Sequence, residues 1–251
     1  MKKVLITSIG RTGTVSLTQF LNTIDQVSCF HEKERQDVPF LFLSQLNQFS
    51  NITENYFKQR DIEASKMDCD FYIEVNPYFR FADKKILDSL GWEKVFIVRN
   101  PRTYLESVYT RNLYTKSDTT CGQFPDNSDP ISKEWETLTR FQKLCWYYGK
   151  VHEYIAQSEN SNYQFEKLTS SPEALKKLIF DIGIDQTRIE NYHLPKRNTS
   201  FKNKIKRKIS STLKNESTVI KPLDWTKLSE DEMKFYNLYC KKPAKSLGYV
   251  L

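Results

Sequence analysis

The run VLITSIGRTGTVSL from Val4 to Leu17 limits what this chain can fold into more than any other feature. An apolar, β-branched strand passes through a short Gly/Thr/Ser turn and straight into a helix with Leu17, Phe20, Leu21 and Ile24 on one face, which is the opening of a βα unit. Such a turn is built to hold an anion. The first N–H groups of a helix lack intrahelical partners, the helix dipole adds partial positive charge, and Gly10 and Gly13 let the backbone close around an oxyanion. A nucleoside-triphosphate loop reads G-x-x-x-x-G-K-[ST], whereas here Thr14 and Val15 follow Gly13 and the cation, Arg11, precedes it. The candidate cradle is therefore Gly10, Arg11, Thr12, Gly13, Thr14, Val15 and Ser16.

Downstream, apolar runs alternate with helical periodicity. Strands are predicted at 4–7, 26–30, 71–75, 94–98 and 163–165, and helices at 14–22, 38–60, 84–90, 103–111, 134–157 and 172–182. Gly91 and Gly183 close two helices and Pro101 opens one. This alternation implies a single α/β domain, with a mostly parallel central sheet flanked by helices and ligands at the carboxyl ends of the strands. One domain over 1–251 is expected, because the Gly/Pro/Ser/Asp-rich run 117–132 has the length of a surface loop, not of an interdomain linker.

The net charge of +7 is local. Six Lys and two Arg without an acid give 196–214 a charge of +8, which leaves −1 for the rest of the chain. That segment reads as a basic surface loop or as a lid over an anionic ligand, with Lys196 and Arg197 at its start. Its one aromatic residue, Phe201, is thin support for a nucleic-acid platform. The five cysteines (Cys29, Cys69, Cys121, Cys145, Cys240) are odd in number, scattered and without a C-x-x-C pair, so neither a disulfide framework nor a zinc site is expected. The apolar run after Met1 is too short for a signal peptide, and no run approaches membrane-spanning length, so a cytoplasmic setting is expected.

A second motif, VFIVRNPRTYLESVY from Val95 to Tyr109, places Arg99 at a strand end and Ser107 eight residues later, about two turns into the next helix. A guanidinium fork and a hydroxyl at one mouth make a second anion pocket.

With both motifs in place, the sequence resembles the sulfotransferases that use 3′-phosphoadenosine 5′-phosphosulfate (PAPS). Their first loop, [RK]-[ST]-G-[ST]-[ST], is matched by Arg11-Thr12-Gly13-Thr14, with Val15 in place of the last hydroxyl. Their second motif, R-[DN]-P-x5-S, is matched by Arg99-Asn100-Pro101 and Ser107. The stretch Tyr163 to Leu168, then Ser171-Pro172-Glu173, Ile182-Gly183-Ile184 and Leu247-Gly248-Tyr249 are similar to later family segments.

The resemblance implies a three-layer sandwich like that of P-loop NTPases, with PAPS as cosubstrate, 3′,5′-adenosine bisphosphate (PAP) as product, and no metal. The loop backbone and the Thr12, Thr14 and Ser16 hydroxyls would take the 5′-phosphosulfate, and Arg99 with Ser107 the 3′-phosphate. Arg11 would stabilise charge growing on the bridging oxygen as an acceptor attacks sulfur in line.

A general base is expected at the end of the second strand, in Glu32 or His31, and alternation along an extended chain predicts that only one of them faces the cleft. Glu32 lies nineteen residues past Gly13, as a carboxylate base does in some family branches. The glycosaminoglycan branch carries E-K-[ST]-P-x-Y on the third strand, whereas this chain reads Glu74-Val75-Asn76-Pro77-Tyr78, without the lysine. Either Arg11 alone handles the developing charge or a residue of the basic stripe reaches in, and Glu74 and Asn76 become candidates to hydrogen-bond the acceptor. The acceptor is expected to offer a hydroxyl, or an amine, on a small metabolite, natural product or saccharide. Two other readings stay open: a small-molecule kinase, against which the missing G-K-[ST] counts, and a non-catalytic nucleic-acid-binding protein, which leaves the spacing of Arg99 and Ser107 unexplained.

Overall fold

Five short strands carry the architecture, and their apolar residues leave little choice of partner. The structure, a computed structural model, describes residues 1–33, 41, 49–118, 123–195 and 222–251. In chain order it runs β1 (Lys2–Ser8), α1 (Thr14–Leu21), β2 (Val27–His31), α2 (Ser50–Ala64), β3 (Phe71–Val75), α3 (Lys84–Ser89), β4 (Trp92–Val98), α4 (Pro101–Tyr109), α5 (Arg140–Gln157), β5 (Asn162–Gln164), α6 (Phe165–Ser170), α7 (Pro172–Asp181), α8 (Glu230–Phe235) and α9 (Lys242–Ser246). A π-helical turn, Tyr236–Lys241, joins the last two.

The strands form one parallel sheet in the order β2-β3-β1-β4-β5. Alternate residues serve opposite faces. Val4, Ile6, Ile73, Val75, Val95 and Ile97 pack under α1 and α7, against Leu17, Phe20, Leu175 and Leu178. On the other face Leu5 and Tyr72 meet Phe57 of α2 and Leu87 of α3, while Phe96 and Val98 meet Tyr104 of α4 and Leu144 and Tyr148 of α5. Each such side chain gains ~1.5–3 kcal/mol from full burial. Helices on both faces of a parallel sheet make the three-layer α/β sandwich that the alternation predicts.

Register then aligns the functional edge. Ser8 lies opposite Ile97, His31 opposite Val75 and Val98 opposite Gln164. The residues just beyond, from Gly10, Glu32, Arg99 and Phe165, therefore leave the sheet along one carboxyl edge, and β1 sits where the chain order turns from one side of the sheet to the other.

Some boundaries differ from expectation. The helix predicted over 134–157 is two elements: a 3-10 segment, Pro130–Thr137, capped by Asp129, and α5. Thr139 and Gln142 form a reciprocal capping box, and extended Leu138 (ψ 139°) separates the two. Phe165 opens a helix and does not end β5, β4 begins at Trp92, and α2 extends past Arg60 to Ala64. The 38–40 and 42–48 stretches of the helix predicted over 38–60 lie outside the described residues, as do 119–122 of the predicted surface loop. Among the described residues no helix is long and apolar enough to cross a membrane.

Candidate active site

The turn after β1 has the curled backbone that its glycines foreshadow, with φ of +88° at Gly10, +60° at Arg11 and +68° at Gly13. Gly13 caps α1 in the left-handed region, with no acid in the first turn to occupy the free N–H groups. It is also a contact point, because a Cβ there would come within 2.4 Å of the Phe165 ring. The turn is braced from inside. Ser8 Oγ accepts from the Gly10 N–H at 3.0 Å and from the Thr12 hydroxyl at 2.8 Å, so Thr12, 2% exposed, is turned toward the Ser8 side chain. Its hydroxyl, expected on the ligand, donates to Ser8 here. Val15 and Ser16 stand half-exposed on the first turn of α1.

The two anion motifs meet. Arg11 Nε donates to Ser107 Oγ at 3.1 Å, and the Arg99 guanidinium donates to the Arg11 carbonyl oxygen and, through Nε, to Thr103 Oγ1 at 3.1 Å. Ser107 thus joins the Arg11 side of the pocket as well as sharing α4 with Arg99's partner Thr103. Asn100 caps α4 by accepting from the Arg102 N–H at 3.0 Å, with Pro101 in its first turn, and this fixes the helix that carries both hydroxyls. Arg99 stacks over Phe165, 5.0 Å from the ring centroid. Burial lowers the guanidinium's pKa from its usual value, an effect that Glu166 opposes.

The second half of the site lies at the end of β2. His31 Nε2 is 2.9 Å from Thr14 Oγ1 and 3.6 Å from Glu32 Oε1. Both side chains therefore share one side, contrary to the alternation expected along the strand. Glu32 has already left the strand with φ +46°, its N–H on the Val75 carbonyl at 3.1 Å, and the left-handed residue swings its carboxylate back to the histidine. The next residue anchors that turn: Lys33 Nζ binds Glu63 of α2, reaches Tyr72 Oη at 3.2 Å and lies 4.1 Å from the Phe30 ring centre.

Glu74 and Asn76, expected to meet an acceptor, do not reach a cleft. Both are 0% exposed: Asn76 Nδ2 donates to Glu74 Oε1 at 2.8 Å, and Tyr56 donates to the same oxygen. Asn76 Oδ1 accepts from the Tyr78 N–H at 3.0 Å. Every residue of β3 is buried, so alternation supplies no solvent-facing position for Glu74. Burial pushes its pKa up, against the hydrogen bonds from Asn76 and Tyr56.

Lys196 and Arg197 lie outside the described residues. Sequence reasoning missed Ser8, Thr103, Tyr148 and Glu166. Tyr148 donates to the Arg99 carbonyl at 2.7 Å, and Glu166 accepts from the Asn100 N–H at 3.0 Å. A carboxylate two residues past the end of β5, next to Phe165, which lies level with Arg99, was the available signal for Glu166. Among the described residues no group of three or more His, Cys, Asp or Glu is arranged to hold a metal ion. A cavity of about 790 Å³, lined by Gln19, Thr23, Asp25, Arg188 and His193 among others, shares no residue with this cluster.

The arrangement offers a helix N-terminus, two guanidinium groups and hydroxyls for an extended anion, with an imidazole and a carboxylate beside it for a proton. No family model matches the chain, and no curated protein matches it in sequence. Among solved structures 27 chains match. One is mouse sulfotransferase SULT7A1 complexed with PAP, 13% identical, covering 99% of this chain and 89% of that one at a TM-score of 0.47. At that identity and score the likeness assigns no chemistry to this chain.

Proposed function

We propose that this chain is a PAPS-dependent sulfotransferase, acting as one catalytic domain on a hydroxyl, or an amine, of a small metabolite, natural product or saccharide. The observation that carries this reading is the meeting of two separate anion motifs. Arg11 bonds Ser107, and Arg99 bonds Arg11, across 96 and 88 residues of chain, so the glycine turn and the R-N-P-x5-S segment stand side by side. Two joined anion subsites fit a ligand bearing separate 5′- and 3′-phosphates, and the φ > 0 turn with no acid in the first helical turn fits the bulkier of the two.

PAPS supplies the sulfuryl group, and the protein's residues place and polarise. The backbone N–H groups of Gly13 to Ser16, with Ser16 Oγ, face the sulfuryl-bearing end, and Arg99 with Ser107 holds the far phosphate. Arg11 is preplaced to stabilise negative charge on the departing oxygen, which counts for more in the transition state than in the ground state. Glu32 takes the acceptor's proton. His31 bridges Thr14 of the turn and Glu32, and so ties the base to the cradle.

Calorimetry with PAP, with ATP and magnesium as the comparison, tests the reading. PAP is expected to bind and ATP not to. Arg99→Ala is expected to weaken PAP binding by roughly ten- to a hundredfold, the range for a lost charged hydrogen-bonding partner. Unchanged binding in that variant overturns the pocket. Acceptors are then found by screening mixtures with PAPS for products that gain a sulfonate mass.

A further inference from the structure

Arg99 is aimed by residues that touch no ligand in this reading. Its Nε donates to Thr103 Oγ1 at 3.1 Å, and Thr103 donates in turn to Glu166 Oε1 at 3.0 Å. The same oxygen takes the Asn100 N–H at 3.0 Å, so one carboxylate oxygen fixes both the backbone after Arg99 and its side-chain partner. The other oxygen, Oε2, is held from far away in sequence, where the Tyr249 hydroxyl donates to it at 2.8 Å.

The delivery of Tyr249 is equally specific. The Gly248 N–H bonds the Lys245 carbonyl and the Tyr249 N–H the Ala244 carbonyl, each at 3.0 Å, with Gly248 at φ +79°. This is the Schellman ending of α9, which needs the left-handed residue that glycine supplies. Gln164 Nε2, on β5, donates to the Leu247 carbonyl at 3.0 Å and pins the same turn to the sheet. Tyr249 is 8% exposed, and burial together with the Glu166 charge raises its pKa, so the hydroxyl stays a donor throughout the working range. Tyr249 is buried and Arg99, Thr103 and Glu166 are half-buried, and a hydrogen-bonded chain of this kind is worth more than its separate members because each bond polarises the next.

We infer that Tyr249 and Glu166 are positioning residues: their hydrogen bond, relayed through Thr103 to Arg99, sets the grip of the site on the 3′-phosphate. The inference rests on the sulfotransferase reading, in which Arg99 meets that phosphate. It adds that the turn ending α9, on the far side of the sequence from the anion loop, decides how well the nucleotide's 3′ end is recognised.

The test is calorimetric titration of wild type, Tyr249→Phe, Thr103→Val, Arg99→Ala and the double variant Tyr249→Phe/Arg99→Ala with PAP and with 5′-AMP, which lacks the 3′-phosphate. Tyr249→Phe is expected to weaken PAP about three- to tenfold, the range for one net hydrogen bond. It should leave 5′-AMP unchanged, and it should cost nothing further once Arg99 is gone. Thr103→Val should reproduce the loss from the middle of the relay, and it carries the test if Tyr249→Phe fails to fold. Equal weakening of both nucleotides, the same PAP loss with and without Arg99, or wild-type PAP binding in a folded Tyr249→Phe or Thr103→Val variant overturns the inference alone. Wild-type PAP binding by Arg99→Ala overturns the functional reading and the inference with it.

Discussion

The two halves of the site are built on opposite plans. On the β4/β5 side the charged group is a guanidinium, which never changes protonation, and nearly every neighbour is a hydrogen-bond partner: Thr103, the Arg11 carbonyl and, one step back, Glu166. Capped helices and an aromatic ring hold it in place. On the β2/β3 side stand a histidine and two carboxylates, one of them on a left-handed residue and the other sealed in the core. The first side gathers permanently charged and hydroxyl groups, and the second gathers groups able to take up or release a proton. Pre-set geometry serves binding, whereas a group that changes protonation gains from an environment that does not lock either form.

The division makes different variants fail in different assays. Glu32→Gln is expected to give the largest loss, roughly a hundred- to ten-thousandfold in kcat, the usual contribution of a general base, with PAP affinity intact by calorimetry. Normal turnover in Glu32→Gln would move the base to His31, which keeps the proton on the β2 side but takes the carboxylate out of the chemistry. Gly13→Ala comes next and should strike the other half. An L-residue at φ +68° with its Cβ inside the Phe165 ring contact must move one or the other, so about 2–4 kcal/mol of stability should be lost. PAP binding should fall along with it, and denaturant unfolding beside calorimetry separates the two effects. Gly13→Ala/Phe165→Ala should recover part of the binding if the ring contact, and not φ alone, is the obstacle.

How far the sequence told this in advance also follows the division. The anion side was legible because its signals are local: a strand-turn-helix with glycines, and an Arg at a strand end with a Ser eight residues later on the helix that Pro101 opens. Even there the bond from Thr12 to Ser8 was not foreseen, since nothing in a hydroxyl's letter says which neighbour will accept from it. Glu166 and Tyr249 meet across 83 residues through a helix ending, and no periodicity joins them. On the proton side the residues were found but not their directions. Glu32 breaks strand alternation by adopting φ +46° without being glycine, and Glu74 sits on a strand whose two faces are both covered. The parallel sheet and its flanking helices followed from alternating patterns, but the order of the strands did not, and the break before α5 hid in a Thr-x-x-Gln capping box inside an otherwise helical run.

The last expected effect concerns Glu74, and pH reveals it. Its carboxyl is wholly buried, holds bonds from Tyr56 and Asn76 through Oε1, and leaves Oε2 without a hydrogen-bond partner, so burial raises its folded pKa above the unfolded value. Between those two values the folded state binds a proton that the unfolded state has lost, so the stability derivative with pH is negative. Stability from this group is full below the unfolded pKa of about 4.3. It declines by up to ~1.4 kcal/mol per pH unit as pH rises toward the folded value and is flat above it. Glu74→Gln keeps the shape and the acceptor for Tyr56 but cannot ionise. The stability of wild type minus that of Glu74→Gln, from urea unfolding at pH 5 and pH 8, should therefore shift in favour of the variant as pH rises. Taking the difference cancels Lys94, which burial pulls down to about 7, and His152, pulled down to about 4. Parallel curves would mean that Glu74 ionises as readily inside the protein as outside, and the β2/β3 side would then hold its carboxylates as charges, much as the other side holds Arg99.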